Sequence, residues 1–164
     1  MSRITRFHIL TGLSVSVLVF VLCSASAQEV PGNLNINASD VEQGTDISGP
    51  IDGNRFDTAA KNLWKGTKNQ DHWWWAVGFG SQRQVGAILQ INGDGELTFR
   101  NAPVDYVWQA TSDGTNWEDL PETRVTNERR MFRLHRLRQA RQVRGLRLVV
   151  FRASGEAPAL REVE

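Results

Sequence analysis

This 164-residue sequence predicts an all-β fold, a sandwich of short strands. Apolar positions alternate along several segments that recur at roughly ten-residue spacing, as in sandwiches and barrels. Clusters of glycine, asparagine, aspartate and serine punctuate them, the clearest being Asn92-Gly93-Asp94-Gly95 and Ser112-Asp113-Gly114. No segment carries a convincing helical period.

The polar stretch Gln28 to Asn37, with its Pro31-Gly32 pair, opens on a lead-in, residues 28–32, to one domain over residues 33–164. Trp73 to Gly80 is aromatic-rich and ends on glycine, as a strand does. Val85, Ala87, Leu89 and Ile91 alternate with Gly86, Ile88 and Gln90, so both faces of the next strand are fairly apolar. The Asn92–Gly95 turn follows, its residues tolerant of positive φ. Tyr106, Trp108 and Ala110 share a face of a further strand, closed by Ser112-Asp113-Gly114. Phe132 and Leu134 share a face of another, with Leu137 on the other side or beyond a bend. In the run Val143 to Phe151 the inward set is Val143, then Leu146, Leu148 and Val150, and a β-bulge at Gly145 reconciles the two registers.

The first 27 residues read as a leader. Arg3 and Arg6 precede an apolar core from Ile9 to Leu22, and Ala25-Ser26-Ala27 has the small residues of a cleavage site, placing the mature start at Gln28. An uncleaved anchor needs roughly 20 apolar residues, and this run gives way sooner. A lipoprotein reading at Cys23 meets Leu22 where a small residue is expected. The expected localisation is secreted, periplasmic or cell-surface, with no stable membrane insertion after cleavage. Cleavage removes the only cysteine, Cys23, so stability rests on the core.

Cleavage also leaves 17 basic and 18 acidic residues, a balance that gives no bulk attraction to nucleic acid. Ten arginines and a single acid, Glu128, lie between Arg124 and Arg152. Such spacing fits the wet face of antiparallel strands, with each arginine paired to an acid on a neighbour. The alternative is a basic face for anionic polysaccharide or lipid.

Several pieces, in order, resemble one family. Ile51-Asp52-Gly53-Asn54 with Trp64 beyond it, Trp74-Trp75-Ala76-Val77-Gly78-Phe79-Gly80, Ser112-Asp113-Gly114-Thr115-Asn116-Trp117, Ala140-Arg141-Gln142-Val143-Arg144 and Leu160-Arg161-Glu162-Val163-Glu164 are similar to the motifs of discoidin, or coagulation factor V/VIII type C, domains. The resemblance covers about Asn33 to Glu164 and implies a galactose-binding-like jelly-roll β-sandwich. Gly78 stands where the family has aspartate. Relatives usually continue past the position of Glu164, so the last strand is expected to be a weakened edge, open to a partner strand.

The resemblance also implies a structural calcium ion at the Asp-Gly-Asn turn and the closing glutamate. Asp52, Asn54, Asp57 or Thr58, and Glu162 or Glu164 are the candidate oxygen ligands. The metal-free alternative has Asp52 capping its own turn. Sugar recognition uses an aromatic face flanked by polar groups. Trp74, Trp75, Trp108 and Trp117 read as structural, leaving Trp64, His72, Trp73, Arg100 and Arg130 as the expected ligand face. The loops at Lys61 to Asp71, Asn92 to Arg100 and Asn127 to Met131 are expected to meet at one end of the sandwich. Beyond the leader there are two histidines, His72 and His135, and no nucleophile, metallohydrolase or phosphate-loop motif. The expected role is therefore non-catalytic carbohydrate recognition, with a glycan or cell-surface polysaccharide as partner. The alternatives are an adhesion or structural module with a protein partner, and the arginine-driven polyanion mode.

Overall fold

The computed structural model describes residues 33–95 and 98–164; the expected leader and lead-in, residues 1–32, lie outside them. Seven antiparallel strands form one continuous sheet in the order β2-β7-β3-β6-β4-β5, with β1 paired to β3. The strands are β1 (Asn35–Ala38), β2 (Trp64–Lys65), β3 (Trp73–Asn92), β4 (Pro103–Thr111), β5 (Glu118–Asp119), β6 (Phe132–Ala153) and β7 (Ala159–Val163). Helical structure among the described residues is confined to three short 3-10 turns.

The expected pair of strands at 73–80 and 85–91 is one strand of 20 residues, and the two expected in 132–151 are one of 22. β3 and β6 stay paired through the bend that carries each from one layer of the sandwich to the other. Gly78 faces Gly145 and Arg83 faces Val143, so four β3 residues bulge opposite the single Arg144. Gly145 is needed there. A Cβ on it would sit 3.0 Å from the Val77 carbonyl oxygen and 3.2 Å from Trp117. The expected inward set, Val143, Leu146, Leu148 and Val150, is buried.

The first layer holds β1, Trp73–Gly78, the second half of β6, β4 and β5; the other holds β2, β7 and the remaining halves of β3 and β6. Between them lie Trp64, Trp75, Tyr106, Trp108, Leu148 and Leu160, all fully buried, and their apolar burial is the main force closing the sandwich. The core also holds a chain of partnered polar groups. Trp108 donates to Gln90 at 2.7 Å, and Gln90 donates to Asn92 at 2.6 Å.

Phe132 and Leu134 do share a face, but it is the solvent face. The expected open edge at the last strand is also corrected. β7 lies between β2 and β3, and Trp64 and Lys65 pair with Leu160 and Ala159.

Candidate functional site

The end of the sandwich where β3 begins is also where it ends, because the bend returns the strand. Three connections meet there, 66–72, the described residues 93–95 and 98–102, and 154–158. Gly66 donates to Pro158 (2.9 Å), Gly93 to Ala159 (2.8 Å) and Ser154 to Ala102 (2.9 Å). The segment 127–131 joins them through Asn92, which donates from its backbone to Met131 at 2.8 Å. Gly93 has φ +85, and a Cβ on it would lie 2.7 Å from the Arg100 carbonyl oxygen, so the tight return to Arg100 depends on glycine. Arg161, only 1% exposed, donates to the carbonyls of Gly93 and Gly95 and ties that turn to β7.

Asp94 organises this end. Its carboxylate accepts from Arg100 Nε at 2.8 Å and Asn101 Nδ2 at 2.7 Å, with Lys65 Nζ at 3.5 Å. Lys65 also pairs with Glu42 at 2.6 Å. Burial pushes the Asp94 carboxyl upward, but the Arg100 and Asn101 hydrogen bonds and the Arg100 and Lys65 charges outweigh it and hold the group below its usual range. Lys68 pairs with Glu156 across the loops, His72 is exposed, and Phe99 is 37% exposed. Its backbone is pinned, with the carbonyl accepting from Ala102 and Ser154. The result is a partly open aromatic ring beside paired donors and acceptors, the mixture that recognises a sugar's apolar face and hydroxyls.

Of the expected ligand face, His72 and Arg100 lie at this end on exposed positions. Trp64 and Trp73 do not present a face, and the expectation is corrected. Trp64 is 0% and Trp73 6% exposed, and their indoles donate inward to Asp40 at 2.9 Å and Thr67 at 2.7 Å. Trp75 and Trp108 are core as expected. Trp74 and Trp117 are half-buried on an outer sheet face, where Arg147 stacks on both rings. Asp94, Phe99 and Asn101 were missed, although all three flank Arg100 in the turn already singled out.

Arg130 belongs to a separate feature, an open groove of about 480 Å³ lined by Arg124, Asn127, Glu128, Arg129, Arg130 and Arg133, among others. The expected pairing of arginines with acids holds for Arg124 with Asp119, Arg133 with Glu128 and Arg152 with Asp105. Among the described residues the pairing reading fails elsewhere on this stretch. Arg129, Arg130, Arg136, Arg138, Arg141 and Arg144 form no ion pair there.

The calcium expectation meets a specific geometry. Glu162 is 2% exposed, and its Oε2 has no hydrogen-bond partner. Burial, then the charges of Asp52 and Glu164, raise its pKa to about 7, partly offset by the Gly53 backbone N–H and Arg55. An uncompensated buried carboxylate with two others near it fits a cation. Asp52 accepts from Asn54 N at 2.7 Å, the self-capped turn. Asn54 and Asp57 bond each other, and Asp57 also accepts from Asn62 at 2.6 Å and Ala59 N at 2.8 Å. Arg55 pairs with Glu164. Among the described residues no three His, Cys, Asp or Glu side chains converge into a metal cluster on their own. A hard cation here would complete its shell with main-chain carbonyls and neutral oxygens, as calcium does.

The F5/8 type C domain profile matches residues 35–163, and the chain belongs to that family. No curated protein matches it in sequence. Among solved structures it is similar to chitosan-binding module 1 from a chitosanase/glucanase of Paenibacillus sp. IK-5, at 20% identity over 80% of this chain and 93% of that one, TM-score 0.65. Module 2 of the same enzyme, in complex with chitotriose, matches at 16% identity over 80% and 95%, TM-score 0.66. A family 32 carbohydrate-binding module from C. perfringens, in complex with galactose, matches at 14% over 79% and 90%, TM-score 0.65. At these identities the likeness is one of fold, the jelly-roll β-sandwich.

Proposed function

We propose that this F5/8 type C chain is an exported, non-catalytic module that recognises carbohydrate through the loops around Asp94. The observation that carries the reading is the joining of three connections at one end, where Arg100, Asn101 and Lys65 surround Asp94 beside the partly exposed Phe99. Arg100 is 69% exposed while it bonds Asp94, so its remaining N–H groups face solvent and can donate to sugar hydroxyls. Glu42 and Asp94 act as acceptors, Phe99 supplies apolar area, and His72 lines the rim. Three solved neighbours of this fold are described with galactose, GalNAc-β-1,3-galactose and chitotriose, which supports a glycan as the partner class. The buried pair His135 and Tyr106 has no exposure with which to act on a substrate.

We further propose that Glu162, with Asp52, Glu164 and main-chain oxygens of the Asp52–Asn54 turn, holds one structural calcium ion. The ion would neutralise the clustered carboxylates and fix the turn against β7.

A glycan array probed with the purified protein in calcium tests the first reading. Saturable binding to a defined sugar class, lost in Arg100→Ala, is the expected result. A blank array from folded protein overturns it.

A further inference from the structure

The first half of β6 is the outermost strand of its layer. Residues Phe132 to Arg136 pair with Ile91 to Ala87 of β3, whereas β4 pairs with β6 only from Gly145 to Ala153. Which backbone groups this leaves free follows from the ladder. Leu89 N donates to the Glu164 carbonyl at 2.7 Å, and Glu164 N donates back to Leu89 at 3.0 Å, so the Leu89 peptide groups point toward β7. In an antiparallel ladder the residue opposite, Leu134, then points its own N–H and C=O away from β3. Alternation gives Phe132 and Arg136 the same direction. Among the described residues no backbone group meets them on that side. The free stretch ends at Arg138, whose N–H donates to Glu122 Oε1 at 3.4 Å.

The side chains of this edge are apolar in the middle and basic at both ends. Phe132 is 42% and Leu134 47% exposed on the outer face, and Phe56, 73% exposed, stands beside Phe132 with ring centroids 6.5 Å apart. Arg136 follows at the next position on that face and is exposed. Arg133 and His135 turn the other way, half-buried and buried, with Arg133 bordering the groove of Arg130. An exposed apolar edge is a template for another strand, and charge decides which strand. Arg129, Arg130, Arg136 and Arg138 are exposed and form no ion pair among the described residues. A second copy pairing antiparallel through β6 would set arginines beside arginines, and like charges across a strand pair are destabilising. An acidic strand meets opposite charge at both ends of the apolar strip.

We propose that the Phe132–Arg136 edge binds an extended acidic peptide of a protein partner by strand addition. The peptide backbone continues the sheet beyond β6, its alternate apolar side chains pack on Phe132, Leu134 and Phe56, and its carboxylates pair with Arg130 and Arg136. The edge shares no residue with the Asp94 cluster, so either reading can fail alone.

The test titrates the whole protein into a fluorescein-labelled decapeptide that alternates valine with glutamate, read by fluorescence anisotropy. Saturable binding is expected. Two counterparts, N-methylated at every valine or at every glutamate, separate strand addition from simple charge attraction. One is expected to bind at least tenfold more weakly and the other as the parent does, because an added strand uses a single backbone edge. Arg136→Glu is expected to remove at least tenfold of the affinity with an unchanged thermal midpoint, and Arg144→Glu, at the bend, to bind as the wild type does. Hydrogen exchange of the Leu134 and Arg136 amides is expected to be fast in the free protein and slow with the peptide. Equal effects of the two N-methylated peptides, or of the two variants, would show diffuse charge attraction and overturn the proposal. Slow exchange in the free monomer would show an edge already closed and overturn it too. So would no binding, which leaves the arginines as guards of the edge. Concentration-dependent dimerisation that protects the same amides would give the edge to a second copy instead.

Discussion

Around Asp94, donors from Lys65, Arg100 and Asn101 converge on one carboxylate, and both of its oxygens are bonded. Around Glu128, four arginines line a groove and one carboxylate oxygen stays without a hydrogen bond. Both features sit where connections pass between β3, β4 and β6, yet their balance is opposite. The first is a pre-organised surface that presents the outward remainder of its paired groups. The second has solvent-exposed arginines over a buried carboxylate that lies against Arg133. Placement of polar groups alone does not mark a site; the state of their pairing decides what the site can take.

The sharpest way to break the comparison is to show that neither region carries binding, which would hold if the tryptophans did. Trp64→Ala is expected to cost about 3–5 kcal/mol of stability, because the ring is fully buried and its loss leaves a cavity. Denaturant unfolding measures it. A Trp64→Ala protein that is as stable as wild type but loses sugar binding would restore the tryptophan to the ligand face.

Glu162 offers a third pairing state, a buried carboxylate among like charges. Its folded pKa, about 7, exceeds the usual 4.5, so the folded state binds the extra proton. The stability this contributes is full below pH 4.5 and is lost as pH rises through 7, amounting to roughly 3 kcal/mol at most. His135 runs the other way. Burial, then the Arg133 charge, depress it to about 4 from 6.5, and stability is lost as pH falls across that window. In chelator, melting temperature is therefore expected to fall between pH 6.5 and 8. Millimolar calcium should reverse that fall by several degrees at pH 8 and do little at pH 5. An identical calcium response at both pH values would remove the cation from this site.

Asp94→Ala leaves Arg100 and Asn101 without their acceptor. It is expected to cost about 1–2 kcal/mol, read by thermal unfolding, and to weaken glycan binding. Arg100→Ala should change stability by less than about 0.5 kcal/mol, since the side chain is largely exposed, while still reducing glycan affinity. A stability loss in Arg100→Ala as large as in Asp94→Ala would make the cluster a structural clamp rather than a recognition surface.

The sandwich was legible because alternation and turn chemistry are local. Val143, Leu146, Leu148 and Val150 declared their face, and Gly145 declared the bulge. The continuity of β3 was hidden because Gly80 read as a strand end when it lies within the bend of one long strand. The site was legible only as a region. Arg100 was visible, but its value lies in Asp94 and Asn101, whose convergence depends on Gly93 and on the buried Arg161 reaching from β7. The tryptophans misled because an indole in a polar loop segment looks available, whereas Trp64 and Trp73 spend their N–H groups on inward carbonyls. Glu128 was conspicuous as the lone acid among ten arginines, and its meaning appeared only with its burial.

The most direct test of the central claim is backbone amide chemical-shift mapping of the labelled protein, titrated in calcium with the neutral oligosaccharide that the array selects. The account predicts shifts concentrated in 66–72, 98–102 and 154–158, with little change around the Asp52 turn and on the outer face at Trp74, Arg147 and Trp117. Shifts centred on that outer face instead, or none at saturating sugar, would contradict recognition by the loops around Asp94.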